Sequence, residues 1–295
     1  MTKVAQALKR LLNGDELLMV PTCFDALSAR LAYEAGFPVG FMSGAAVSAT
    51  RLGMPDTGLI GLVELSDQLR NICSAIPGQP VIGDGDTGFG NEMNVRRTVQ
   101  EYARAGAACV MIEDQVFPKR CGHFEGKQVI PRDQARMKIR AAVDAAREEG
   151  ILVLARTDAR AIEGFDAAVQ RCRDFEEEGA DIVFLEAPLT EQELADFASA
   201  MRQPAMANIV EGGKTPMLST AKLKELGFRL AIYHPMLFSA IQAMQDSLIA
   251  LRSDGLVTPP KTSGFEEFKR LAGLPQYDAI SEKYSQTSLK KQAYQ

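Results

Sequence analysis

The sequence predicts a (β/α)8 barrel of the TIM type, an α/β fold, carrying a C-terminal helical extension. Three observations predict it: eight short apolar runs recur, amphipathic stretches separate them, and polar groups gather where the runs end. The runs are LLMVP (17–21), PVGFMS (38–43), PVIGD (80–84), AACVMIED (107–114), ILVLART (151–157), DIVFLEA (181–187), PAMANI (204–209) and RLAIYH (229–234). Lacking polar alternation, each is expected to be a strand buried on both faces, and strands alternating with helices pair in parallel through helical crossovers. Eight such units close a barrel. The competing doubly wound sheet would want a Gly-rich fingerprint after its first strand, and the chain has none there.

The stretches DALSARLAYEAG, NVRRTVQEYARAG, DAAVQRCRDFEEEG and TAKLKELG read as helices ending in glycine, the residue that accepts a left-handed C-terminal cap. In TEQELADF, Thr190 and Glu193 stand at capping-box spacing. Alternation stops after about residue 253, so the expected domains are a catalytic barrel, 1–253, and a C-terminal segment, 254–295. In that segment TPPKTSGFEEFKRLAGLPQY reads as a loop and one or two short helices, and SQTSLKKQAYQ as a frayed tail. Phe265, Phe268, Leu271 and Leu274 need a partner surface, on this barrel or a neighbouring subunit.

Composition restricts the function. The 295 residues are 46% hydrophobic and 24% charged with net charge -5, which offers no positive surplus for nucleic acid or an anionic membrane. No apolar run reaches the roughly 20 residues of a membrane helix, and MTKVAQALKRLLNG lacks the core and cleavage site of a secretory signal. A cytoplasmic enzyme acting on small molecules is expected. Cys23, Cys73, Cys109, Cys121 and Cys172 are odd in number and scattered, against a disulfide framework. Two histidines and no CxxC pair argue against structural zinc.

Barrel enzymes place their chemistry at the C-terminal ends of strands. Those ends hold Ser43, then Asp84 and Asp86, Glu113 and Asp114, Arg156 and Asp158, Glu186, Asn208 with Glu211, and His234. In GDGDTGFG (83–90) the carboxylates of Asp84 and Asp86 would point the same way, a repulsion that a cation relieves. Oxygen-only ligands favour Mg2+ or Mn2+; the alternative is a polar turn. Arg156 could hold a carboxylate by its planar fork, or make an internal salt bridge to Asp158 or Glu186. MSGAAVSA could cradle a carboxylate with its backbone N–H groups and the Ser43 hydroxyl, or serve tight packing. Asp56, in GMPDTG, reads as a turn residue, and His234 as a site group or a structural histidine. Cys121 lies in DQVFPKRCGHFEGK, on a loop of about 17 residues, a length typical of lids and active-site segments. Lys119, Arg120 and His123 are expected to lower its pKa. Metal ligand, nucleophile, proton donor and incidental thiol all remain open for it.

Taken together, SGAAVSA, GMPD, GDGDTGFG, IEDQ, KRCGH, ARTDA, EA at the sixth strand and ANIVEGGKTP resemble the isocitrate lyase / phosphoenolpyruvate mutase superfamily over nearly the whole chain. KRCGH marks its lyase branch. FEGKQVIP and NIVEGGKTP look most similar to the 2-alkylmalate lyases, the group of 2,3-dimethylmalate lyase and petal death protein. The resemblance implies Asp84 as principal Mg2+ ligand, with Asp86 and Glu113 reaching the ion through water. It implies Ser43, Gly44, Ala45, Arg156, Glu186 and Asn208 as binders of the 2-oxoacid half, with Asp56, Gly122 and His234 beside them. Cys121 becomes the acid/base on a closing loop, assisted by Lys119, Arg120 and His123. A homotetramer exchanging C-terminal helices is also implied.

Two departures narrow the substrate. Phe41 stands where isocitrate and methylisocitrate lyases have a tyrosine. Ser239 and the neighbourhood of Ser263 stand where methylisocitrate lyases place arginines for a third carboxylate. An unpaired carboxylate in a closed site is costly, so a dicarboxylate is expected. The resemblance thus implies a Mg2+-dependent lyase releasing a 2-oxoacid such as pyruvate from a 2-alkylmalate. Its rivals are oxaloacetate hydrolysis, oxaloacetate decarboxylation with His234, methylisocitrate cleavage and, outside enzymes, an oxoacid sensor.

Overall fold

The computed structural model describes residues 1–254 and 263–285. They form two compact units, one spanning Met1–Phe238 and the other beginning at Ser239. All eight apolar runs are strands: β1 Leu18–Cys23, β2 Gly40–Met42, β3 Val81–Asp84, β4 Cys109–Glu113, β5 Leu152–Thr157, β6 Ile182–Leu185, β7 Ala205–Ile209 and β8 Leu230–Tyr233. Each pairs in parallel with the next, and β1 returns to β8 with Leu18 opposite Leu230, closing the barrel.

Two apolar layers hold it. Val20, Phe41, Ile82, Met111, Leu154, Phe184, Met206 and Ile232 fill the interior. Leu65, Val99, Tyr102, Ile139, Phe175 and Phe197 belong to the layer between strands and helices. The opening helix, Lys3–Leu12, is one that the strand pattern does not announce. Its Ala5, Leu8 and Leu12 join the interior cluster beside Leu18, Leu152 and Leu230 at the strand starts, and so plug the end of the barrel opposite the polar residues.

The four predicted helix-ending glycines all take positive φ, from 89° at Gly36 to 100° at Gly179. The capping box at Thr190 is only half made. Thr190 Oγ1 accepts the Glu193 N–H at 3.0 Å, but the Glu193 carboxylate accepts from Leu189 N–H and the Arg160 guanidinium instead of reaching back to Thr190. A charged partner outcompetes the backbone donor.

Of the C-terminal segment, two short helices are described, Phe265–Ala272 and Leu274–Lys283. The loop expected just before them and the expected frayed tail fall largely outside the described residues. Among the described residues no helix is long and apolar enough to cross a membrane, and the five cysteines are free.

Candidate active site

The strand ends bring the predicted groups around a cavity of about 280 Å3. Ser43, Ala45, Asp56, Asp84, Cys121, Gly122, His123, Arg156, Glu186, Asn208 and His234 line its polar side. Phe41, Met111, Phe184, Ile232, Leu237 and Phe238 line the apolar side. A larger cavity, about 520 Å3, lies on the outer face of β1 and β8 among Met19, Leu31, Met217 and Tyr233, away from the carboxylate cluster.

The third strand sets Asp84 in place. Tyr102 donates its hydroxyl to the Asp84 carbonyl at 2.5 Å, while the Asp84 carboxylate accepts the N–H of Asp86 at 3.1 Å and that of Gly44 at 3.0 Å. A side chain on Gly44 would put Cβ 2.8 Å from Asp84 Oδ2, so glycine is required for that approach. The Gly44 N–H therefore serves Asp84 here, and the Ser43 hydroxyl caps its own short helix at Ala46.

Lys119 enters from the loop, its side chain 3% exposed, with Nζ 2.6 Å from Asp56 Oδ1 and 2.9 Å from Asp86 Oδ1. Burial opposes its charge, but Asp86, Asp56 and Glu113 outweigh burial and hold its pKa well above the usual lysine range. Burial pushes Asp86 up to about 7, against the pull of Lys119 and with repulsion from Asp84 and Asp56. Glu113 is 1% exposed. Neither of its oxygens has a hydrogen-bond partner, and burial pushes its pKa far up although Arg156 and Lys119 pull it down.

Such buried, unsatisfied oxygens beside Asp84 and Asp86 suit a hard cation. Among the described residues, however, no three acidic, histidine or cysteine side chains converge as a cage. The donor set therefore fits an ion that keeps several waters and takes one or two carboxylates, the habit of Mg2+.

Glu113 stands beside Arg156 on the neighbouring strand, in register, with Arg156 Nε 3.3 Å from Glu113 Oε2. Of the two readings of Arg156, the internal salt bridge is the one made. Its guanidinium is forked onto Asp158, Nε to Oδ2 at 2.8 Å and Nη2 to Oδ1 at 3.1 Å, and Nη2 also lies 3.2 Å from Glu186. It remains on the cavity wall beside the Phe184 ring, 5.4 Å from the centroid.

Asn208 is oriented from behind. Its Oδ1 lies 2.8 Å from His234 Nε2, and its Nδ2 faces both Glu186 oxygens at 3.4 Å. Nε2 of His234 must then carry the hydrogen, leaving Nδ1 to accept from the Thr22 hydroxyl at 3.3 Å. Burial lowers the His234 pKa to about 4, so the ring is neutral at pH 7. His123 accepts the Lys214 N–H at Nδ1, which turns its Nε2–H toward Glu186 at 3.5 Å.

The loop, residues 115–131, lies over the cavity. The Cys121 N–H donates to the Asp56 carbonyl at 3.0 Å. Gly122 presses on the site: a Cβ there would meet Arg156 at 2.5 Å and Glu186 at 2.6 Å. Two expectations are corrected. Burial raises the Cys121 pKa above the usual thiol value, with Asp56 and Glu186 adding to it, so the group is a thiol rather than a thiolate. The cations expected to favour thiolate are occupied elsewhere, since Lys119 is spent on Asp56 and Asp86. Arg120 is exposed and does not line the cavity; Gln115 grips its backbone N–H at 2.9 Å and its carbonyl at 2.8 Å. Sequence reasoning misses Thr22, because the first apolar run is ended at Pro21 whereas β1 runs on to Cys23. It also misses Gln115, Lys127 and Lys214, which lie within the quoted motifs but whose partners only the folded loop brings near.

The chain matches the phosphoenolpyruvate phosphomutase family over residues 8–252. It is 40% identical to a chloroplastic carboxyvinyl-carboxyphosphonate phosphorylmutase of Arabidopsis thaliana, covering 94% of this chain and 83% of that one. It is 38% identical to the 2,3-dimethylmalate lyase of Eubacterium barkeri, covering 95% and 98%. A solved oxaloacetate acetylhydrolase bound to the inhibitor 3,3-difluorooxalacetate superposes with a TM-score of 0.91 at 37% identity, covering 96% of each chain. A phosphonopyruvate hydrolase complexed with oxalate and Mg2+ does so with a TM-score of 0.85 at 28% identity, covering 96% and 99%.

Proposed function

The chain belongs to the phosphoenolpyruvate mutase / isocitrate lyase superfamily, and we propose that within it the protein cleaves the C2–C3 bond of a 2-alkylmalate such as 2,3-dimethylmalate. One observation carries this reading: Cys121, a thiol whose pKa burial raises, is held over a cavity where Arg156 is the one lining arginine or lysine among the described residues. The carbanion left at C3 needs a proton donor on that face, and a dicarboxylate matches that charge without a second arginine.

Asp84, with Asp86 and Glu113 beside it, would hold Mg2+ or Mn2+, which supplies positive charge for the 2-hydroxyl and 2-carboxylate. Arg156, Asn208 and the Ser43–Ala45 turn bind and orient the 2-hydroxy acid half, with Glu186 fixing both Arg156 and Asn208. The 2-hydroxyl passes its proton to solvent or a carboxylate of the site, the C2–C3 electron pair moves to C3, and C2 becomes the ketone of a 2-oxoacid such as pyruvate. Cys121 Sγ–H gives its proton to C3, releasing the second product as a carboxylate. The proton taken from the hydroxyl restores the Cys121 thiol at the end of the cycle. Lys119 and His123 flank that transfer, and Gly122 lets the loop sit close enough to exclude water. Phe41, Met111 and Leu237 receive the alkyl substituents.

The competing reading is hydrolysis of oxaloacetate to oxalate and acetate, favoured by the likeness to the acetylhydrolase structure. A panel of 2,3-dimethylmalate, ethylmalate, methylisocitrate and oxaloacetate with Mg2+, assayed for 2-oxoacid and oxalate, separates the two. Pyruvate formed fastest from dimethylmalate is expected; fastest turnover of methylisocitrate or oxaloacetate would overturn the proposal. Cys121→Ser should cut turnover by about 10²–10⁴-fold. A chelator should abolish activity and Mg2+ restore it.

We also propose a homotetramer that exchanges C-terminal helices, with the barrel at 1–253. Met19, on β1, is 44% exposed beside the 520 Å3 cavity, so that outer face wants a cover.

A further inference from the structure

The loop that carries Cys121 is fastened at several points, and one fastening reaches a residue that aims the site. Lys127 turns back from the far limb of the loop into the barrel, its side chain 2% exposed. Its Nζ donates to Asp158 Oδ1 at 3.0 Å and to the Gly122 carbonyl. Asp158 is fully buried and is the same carboxylate that forks Arg156. Its backbone N–H is held in turn by Asp114 at 2.9 Å. Gly122 follows Cys121 directly and packs against Arg156 and Glu186. A single ammonium therefore joins the peptide next to the thiol to the carboxylate that orients the guanidinium.

The energetics make this fastening all-or-none. A buried ammonium is tolerated only with its acceptors in place, and a buried carbonyl left without a donor is costly. If the Cys121 segment lifts, Lys127 loses the Gly122 carbonyl and the Asp158 carboxylate loses a counter-charge as the lysine follows. Each half holds the other down.

We infer that Lys127 is a positioning residue that locks the Cys121 segment against the Arg156–Asp158 pair. The effect on turnover rests on the proposed role of Cys121; the lock itself is a property of the free protein and can be read without substrate. Lys127→Met keeps the apolar stem and removes the ammonium. In the ligand-free protein, alkylation of Cys121 by iodoacetamide, followed by mass spectrometry of its peptide, should accelerate by about tenfold or more. With the best substrate of the panel, kcat should fall about 10²-fold while KM changes by no more than about threefold, because the Asp158 fork on Arg156 remains.

Alkylation at the wild-type rate in a folded Lys127→Met protein would overturn the inference. Faster alkylation with unchanged kcat would uphold the lock and remove Cys121 from the proposed chemistry. Should the variant not fold, acetic anhydride on the wild-type protein gives the answer. Lys127 should react far more slowly than the exposed Lys224, and equal rates would sink the proposal.

Discussion

At the residue scale the site is organised by which groups neutralise one another. The basic neighbours of Cys121 in sequence are expected to favour its thiolate, yet burial raises its pKa and keeps it a thiol, while Lys119 faces two carboxylates instead. That outcome suits a proton donor better than a nucleophile. His234 shows a similar division between chemical type and role: it is neutral and serves to orient the amide of Asn208. Its folded pKa, about 4, lies below the 6.5 of the free side chain, so between those values the unfolded chain binds more protons. Its contribution to stability is then fully present above about pH 6.5 and is lost as pH falls toward 4. Urea midpoints of wild type should drop between about pH 7.5 and 4.5 by more than those of His234→Gln; parallel slopes would count against a neutral, buried histidine. Gly122→Ala should abolish turnover without unfolding the protein, since its Cβ would collide with Arg156 and Glu186 on the loop side. Circular dichroism alongside the assay checks both halves of that expectation.

At the element scale, β3 and the helix Glu92–Ala105 act as one unit. Tyr102 lies flat enough against β3 that a Cβ on Gly83 would come 2.8 Å from its ring and 3.0 Å from Leu69, while its hydroxyl holds the Asp84 carbonyl. Gly83→Ala should cost about 1–3 kcal/mol by overpacking, and Tyr102→Phe about 1–3 kcal/mol by leaving a buried carbonyl unpaired. Both are read from denaturant midpoints, and both should weaken the proposed activity because Asp84 moves with its strand. The half-made cap at Thr190 carries a smaller expectation, about 1 kcal/mol lost in Thr190→Ala. The helices most easily recognised in the sequence are those whose glycine ends and apolar spacing agree. The opening helix escapes notice because the strand pattern, rather than its own amphipathic face, draws the division of the chain.

At the scale of the whole molecule, the second unit is short of cover: Met244, Leu248, Ile249, Phe265 and Phe268 are 57–70% exposed. A tetramer built on exchanged helices would bury such a face, so Leu248→Glu should shift the sedimentation coefficient toward a smaller species. An unchanged coefficient would place the interface elsewhere. The sequence by itself determined the barrel, the end of it where polar groups gather and the residue types found there. Strand periodicity and the strand-end rule are local properties, so Asp84, Glu113, Arg156, Glu186, Asn208 and His234 could be named from short segments. Tertiary structure alone decided which charges meet. That Lys119 answers Asp56 and Asp86, that Lys127 answers Asp158 and that Arg120 turns outward depend on a long loop folding back over strands distant in sequence, and that Thr22 stands behind His234 depends on β1 closing onto β8. Electrostatic partnership falls off with distance in space, and the order of residues along the chain carries no measure of that distance.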